Sequence, residues 1–322
     1  MATPDPEQIT HENIGISNAL ELESCPGQSP SPNPSVGAAA IFPADTEPTL
    51  TDPVTKLLHY QAALSQTFHC LWEELAVNYG PETAHNLRVN VKRQRAFFQS
   101  LEWLSPPFSA RGAAQTYRAL YRCAGQVRDC QVEQHWLSKY EHKLLLTTQL
   151  SAILARQEQH YTKRLRRYRQ HHHLTPFTQQ EICVTSTIQH LDPALLLPNL
   201  HHHLQQQLEH VTVAGQHVKV PEKQLHDLRK QLKTLGYNLD LWGSLSGTAL
   251  LPDSVLRLLQ DLQHHLGQWH DHDVLLLHGR KIGIPDGLRR VLREEATTLK
   301  HLCRQQLTDL INSVGMTPIC PR

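Results

Sequence analysis

The chain has 322 residues, enough to bury a full core, so a small disulfide-stapled fold is excluded. Its 31 Lys and Arg against 30 Asp and Glu give a formal charge of +1, but residues 1–50 hold seven acids and no Lys or Arg, which leaves the remainder at +8. Because fields act within roughly 10 Å, the basic remainder points to an anionic partner that the whole-chain pI of 7.8 conceals.

No stretch approaches the ~18 uninterrupted apolar residues of a membrane span, and the N-terminus lacks a basic segment followed by an apolar one. The sequence therefore reads as cytoplasmic, with no membrane partner. Seven Cys are scattered and odd in number, with no Cys-x-x-Cys pair, so free thiols are expected rather than a disulfide framework or a zinc ribbon.

In chain order, residues 1–50 are rich in Pro, Ser, Gly and Asn without an apolar period, and are predicted to be a disordered acidic tail. From residue 51 apolar side chains recur at three and four, and period-two runs are absent. Breaks fall at Gly80-Pro81, Pro106-Pro107, Pro176, Pro193, Pro221, Pro252 and Pro285. The fold class is all-α. Helices are predicted near 53–78, 82–104, 110–140, 143–171, 194–217, 222–241, 253–278 and 286–312, with 175–193 as a linker.

Self-comparison organises these helices. His85-Asn-Leu-Arg88-x-x-x-Lys92 returns as His226-Asp-Leu-Arg229-x-x-x-Lys233, and Gly125-x-x-Arg128-Asp129-x-x-Val132 returns as Gly267-x-x-His270-Asp271-x-x-Val274. A weaker echo pairs Arg156, Lys163 and Arg167 with Arg293, Lys300 and Arg304. Two matches in the same order imply an internal duplication, giving two four-helix halves, 51–174 and 194–316.

Each repeated motif carries cations on one helical sector. His85, Arg88, Lys92 and Arg95 lie within about 80° of arc, apart from Leu87, Val91, Phe98 and Leu101; His226, Arg229 and Lys233 repeat the sector. Arg156, Lys163 and Arg167 fall within about 40°, as do Arg293, Lys300 and Arg304. A single such row is ordinarily a solvated face. Like charges three or four apart weaken a helix by a few tenths of a kcal/mol, so their repetition in both halves implies use. A run of phosphates suits them, since Arg offers a forked donor, Lys a mobile point charge, and each neutralised phosphate releases counterions.

The ordered pattern, completed by Leu262-Gln263-x-x-Leu266-Gly267-x-x-x-Asp271, resembles the CHAD domain, an α-helical family named for its histidines. The resemblance spans about 51–316. It implies two four-helix halves related by pseudo-two-fold symmetry and a basic central surface that binds inorganic polyphosphate, often at polyphosphate granules, with no established catalysis. The positions expected to bind are His85, Arg88, Lys92, Arg95, Arg128, Arg156, Lys163, Arg167, His226, Arg229, Lys233, His270, Arg293, Lys300 and Arg304.

The chain departs from that pattern in places. Gly236 and Tyr237 stand where the first half has Arg95 and Ala96, and His270 stands where it has Arg128, which predicts a contact sensitive to pH near 6 to 7. Gly125 and Gly267 are read as kinks or close helix approaches, and Asp129 and Asp271 as holders of Arg side chains or helix caps.

Among the 23 His, the seven-residue spacing of His203, His210 and His217 is poor for one metal ion, which wants ligands three or four apart on a helix. They are read as solvent-facing or groove-lining, and no metal or cofactor is expected. No Ser-His-Asp grouping, phosphate loop or His-Glu-x-x-His motif occurs. The sequence reads as a non-enzymatic polyphosphate binder. Its rivals are an enzyme that processes polyphosphate or nucleotide phosphates, and a nucleic-acid binder, the latter disfavoured by sparse aromatics.

Overall fold

The computed structural model describes residues 52–77, 79–80, 82–140, 147–215 and 222–315, which belong to one compact unit. The acidic segment 1–50 lies outside them. Every element among the described residues is helical: α1 (Pro53–Ala76), α2 (Thr83–Leu104), α3 (Ala110–Gln115), α4 (Arg118–Ser138), α5 (Thr147–His171), α6 (Thr175–Gln189), α7 (Pro193–Gly215), α8 (Glu222–Ser246), α9 (Asp253–Ile282) and α10 (Asp286–Gly315).

Local chemistry sets many of the boundaries. Asp52 caps α1 by accepting from the Thr55 amide at 3.3 Å, with Pro53 in the first turn. Ser109 caps α3 by accepting from the Gly112 amide at 3.1 Å. The chain leaves α9 through Gly283, whose φ of 78° lies in the left-handed region, and Pro285 follows.

Two sequence expectations differ from the structure. The stretch expected as one helix over 110–140 is α3 and α4, separated at Thr116 and Tyr117. Neither Gly nor Pro marks this break; Tyr117 is seated in an aromatic cluster instead, with ring centroids 5.2 Å from Phe68 and 5.1 Å from Phe177. The segment 175–193, expected as a linker, contains α6, which buries Phe177, Val184 and Ile188 against the core. Pro176 suggested an interruption, but it occupies the first turn of α6, where a missing amide hydrogen costs nothing.

Helices α4 and α5 pack as one pair and α9 and α10 as another, while α1 packs with α2 and α7 with α8. The halves do not keep separate cores. One apolar cluster runs from Leu57, Leu87 and Leu120 to Leu200, Leu232 and Leu266, and α2 packs directly on α8. A second, smaller cluster joins Trp136, Leu137 and Leu154 to Leu275, Leu288 and Leu292, where α4, α5, α9 and α10 meet. It is edged by polar contacts: Tyr140 donates to Glu295, His272 Nε2 lies 2.9 Å from the same carboxylate, and His278 pairs with Glu133.

Because Phe177 sits among Phe68, Trp72 and Tyr117, Phe177→Ala is expected to cost about 3–5 kcal/mol in urea unfolding. A position on a true linker would change stability by no more than ~0.5 kcal/mol.

Candidate functional site

The apolar stripes of α2 and α8 fix where their basic faces go. Leu87, Val91, Phe98 and Leu101 on α2, and Leu225, Leu228, Leu232 and Leu235 on α8, are buried. The adjoining sectors therefore meet at the contact between the two helices, each cation lying at the rim of its own core stripe. Arg88, Lys92, Arg229 and Lys233 come within electrostatic reach of one another there, all half-buried.

Helix α4 contributes Arg128 and Asp129, and α9 contributes His270 and Asp271. Asp129 acts on Arg88, Lys92 and Arg128, and Asp271 on Arg229 and Arg128. The two aspartates thus lie within electrostatic reach of arginines, though among the described residues no ion pair within 4.0 Å joins them, and both lie inside helices rather than at caps. Five cations from three helices share two carboxylates. Arg128 also reaches Gln131 at 3.4 Å and Glu82 at 3.9 Å.

Aromatic faces hold several of these cations. The Arg88 guanidinium lies 4.6 Å from the Tyr121 ring centroid and Arg95 lies 5.9 Å from it, while Arg93 lies 5.8 Å from the ring of Tyr237. Tyr237 therefore supplies the second half with a ring where the first half has Ala96. At one edge, His226 sits 4.6 Å from the Trp269 ring and its Nε2 is 3.3 Å from Asp273.

Gly125 has a role other than a kink. A Cβ built there would stand 2.1 Å from Nη1 of Arg88, so the absent side chain is the space the guanidinium occupies against α4. At Gly267 an added Cβ would meet nothing within 4 Å, so no close approach accounts for it.

Charge crowding and burial perturb the cluster. Burial draws the Lys92 ammonium down to about 8, helped by Arg88, Arg229 and Lys233, and lowers Lys233 in the same way with help from Arg229. Burial also lowers His85, with Arg128 adding to it. His270 is pushed down to about 4 by burial and then by Arg229 and His226, so it is neutral at pH 6 to 7 and the contact expected to titrate there does not. Among the described residues, Arg229 Nε and His270 Nδ1 are buried without a hydrogen-bond partner.

The other expected residues lie elsewhere. Arg156, Lys163 and Arg167 are exposed on α5, and Arg293 is exposed on α10. Lys300 is tied to Glu222 of α8 at 2.7 Å, and Arg304 is half-buried. His203 stacks on Trp103 with centroids 5.0 Å apart and accepts from Gln207 at 2.8 Å, which places it in a helix contact; His210 is exposed, and His217 lies outside the described residues. No group of three or more His, Cys, Asp or Glu is placed to hold a metal ion among the described residues. None of the five described cysteines forms a disulfide, and no described helix is long and apolar enough to cross a membrane.

An all-helical body with a cationic cluster between two repeated helices defines a class, and the comparisons identify it. Residues 61–279 match the sequence pattern of the CHAD domain, and the chain belongs to that family. Its fold is similar to the crystal structure of the CHAD domain from the plant Ricinus communis, with a TM-score of 0.62 and 16% identity over 88% of this chain and 99% of that one. It is also similar to PptA from Streptomyces chartreusis, with a TM-score of 0.52 and 14% identity over 80% of this chain and 99% of that one. Among curated proteins, none matches the sequence significantly.

The lowered Lys92 value has a thermodynamic consequence. Between about 8 and 10.5 the unfolded chain holds the Lys92 proton and the folded protein does not, so stability contributed by this group rises with pH across that window. The buried thiols Cys130 and Cys303, pushed up to about 12, act in the opposite sense above about 9, so the check is differential: relative to the unaltered chain, Lys92→Met is expected to raise the urea midpoint most at pH 7 and progressively less from pH 8 to 10.

Proposed function

We propose that the protein binds inorganic polyphosphate at the α2–α8 cluster and does not transform it. Membership of a family linked to polyphosphate supports the reading. The single observation that carries it is the crowding of Arg88, Lys92, Arg128, Arg229 and Lys233 around Asp129 and Asp271, with Glu82 reaching Arg128 alone at 3.9 Å. A group of like charges this close is strained until an anion enters. A chain of phosphates answers it well, because it brings several negative charges at short intervals and takes forked bonds from Arg88, Arg128 and Arg229.

The ligand also relieves the costs of burial. A phosphate oxygen beside Arg229 gives its Nε an acceptor, and negative charge restores Lys92 toward its ordinary value, so binding takes up protons at pH above 8. Affinity consequently falls as pH rises beyond 8, through the range in which the empty site has already lost the Lys92 proton. No step here needs a metal ion, a nucleophile or a general base, which is why the reading is binding rather than hydrolysis.

Titration with sodium polyphosphate at increasing salt tests the proposal. The logarithm of the association constant should fall against the logarithm of salt with a slope of about −3, each contacted phosphate contributing roughly −0.7. Arg88→Gln combined with Arg229→Gln should weaken binding at least ~100-fold with helicity retained. Unchanged affinity, or release of orthophosphate from the polymer on incubation with magnesium, would refute the assignment.

Gly125→Ala separates the position of Arg88 from its charge. Alanine favours a helix over glycine by up to about 1 kcal/mol, so thermal stability is expected to hold or rise. The displaced guanidinium should cost about tenfold in polyphosphate affinity, ~1.4 kcal/mol.

A further inference from the structure

Helix α5 carries a row of cations that the cluster does not use. Arg156, His160, Lys163, Arg164, Arg167 and His171 fall within about 100° of arc and span about 22 Å of the helix axis. All six are exposed. Leu154 and Leu165 are buried about 140° away around the helix. Glu158, the one acid in α5, turns toward α4 and accepts from Gln131 at 2.9 Å and Gln134 at 3.1 Å.

The structure distinguishes these cations from their sequence neighbours. Arg169 binds the Trp72 carbonyl at 3.0 Å and Glu73 at 2.9 Å, and Arg166 lies 5.3 Å from the Tyr79 ring. Among the described residues, the side chains of Arg156, Lys163, Arg164 and Arg167 make no hydrogen bond or ion pair. The related row on α10 is not equivalent, because Lys300 is neutralised by Glu222.

This row is separate from the cluster. Helix α5 packs on α4 and α1, and no α5 cation is among the charges acting on Lys92, Arg229, Lys233 or His270. We propose that the exposed α5 row is a second binding strip for a linear phosphate polymer, which makes the protein bivalent. The proposal rests on polyphosphate as the ligand of the cluster and extends it.

Charge complementarity selects the occupant. Lys163 and Arg167 repel each other one turn apart at a cost of a few tenths of a kcal/mol, and a polyanion laid along the strip removes that cost while releasing counterions. Nucleic acid suits the strip less well, because the row holds no Phe, Tyr or Trp and only the small rings of His160 and His171 as platforms for bases. Tyr168 is already stacked on His172 with centroids 3.8 Å apart. A long polymer held at the cluster presents its remaining length to the strip at an effective concentration of order millimolar, or bridges two molecules.

Three proteins test this: the unaltered chain, the cluster variant (Arg88→Gln, Arg229→Gln) and a strip variant (Arg156→Gln, Lys163→Gln, Arg167→Gln). Each is titrated with short and long sodium polyphosphate at low salt, with light scattering to detect bridging. The strip variant should bind short polymer within about twofold of the unaltered chain, since the sites are independent. It should lose at least about tenfold in affinity for long polymer, lose bridging, and show a salt slope shallower by about 2.

The cluster variant should retain weak, salt-sensitive binding through the strip. Identical long-polymer affinity and bridging in the strip variant would overturn the second site. Tighter binding of single-stranded DNA than of polyphosphate by the cluster variant would overturn the occupant. A cluster variant that binds short polymer as the unaltered chain does would instead sink the function proposed for the cluster, a result independent of the strip comparison.

Discussion

Repulsion among Arg88, Lys92, Arg229 and Lys233 is built into the α2–α8 contact, and the packing around it has to outweigh that repulsion. It can, because each helix carries its cations at the rim of a stripe of fully buried Leu, Val and Phe side chains, each contributing about 1.5–3 kcal/mol. Smaller devices moderate the remainder. Asp129 and Asp271 supply counter-charge, Tyr121 receives the guanidinium of Arg88 on its face, and Gly125 leaves that guanidinium room. The cluster is therefore fixed by the fold, with its hydration already partly removed.

Similar motifs in the two halves are not similar sites. Arg128 and His270 occupy corresponding places, yet only the arginine brings a charge at neutral pH, since burial and Arg229 keep the imidazole neutral. Helix α6 has no counterpart among the described helices, and it closes the core over α1 with Phe177. The rows on α5 and α10 share their spacing, but one is solvated and the other is pinned to α8 by Lys300 and Glu222. A repeat read from spacing thus predicts which sectors are basic and leaves their electrostatic state to their neighbours.

Some of the site is legible in the sequence. The period that separates Arg88 and Lys92 from Leu87 and Val91 is a local property of one helix, and so is the matching period around Arg229. The seat of Arg88 was not legible, because Gly125 is 37 residues away and its glycine could equally have marked a kink. The division at Tyr117 was hidden for a similar reason: neither Gly nor Pro marks it, and the rings that Tyr117 packs with, Phe68 and Phe177, lie far away in the chain.

The sequence by itself determined the helical class, the family pattern and the membership of each basic sector, all of which follow from 3.6-residue periodicity and short motifs. Tertiary structure alone decided that the α2 and α8 sectors face each other while the α5 sector faces solvent, that Lys92 and His270 are desolvated enough to lose protons easily, and that Lys300 is spent on Glu222. The reason is range. Helix formation and amphipathic patterning arise between residues three or four apart, whereas Coulomb energy and desolvation depend on which faces the folded chain brings together from more than a hundred residues away.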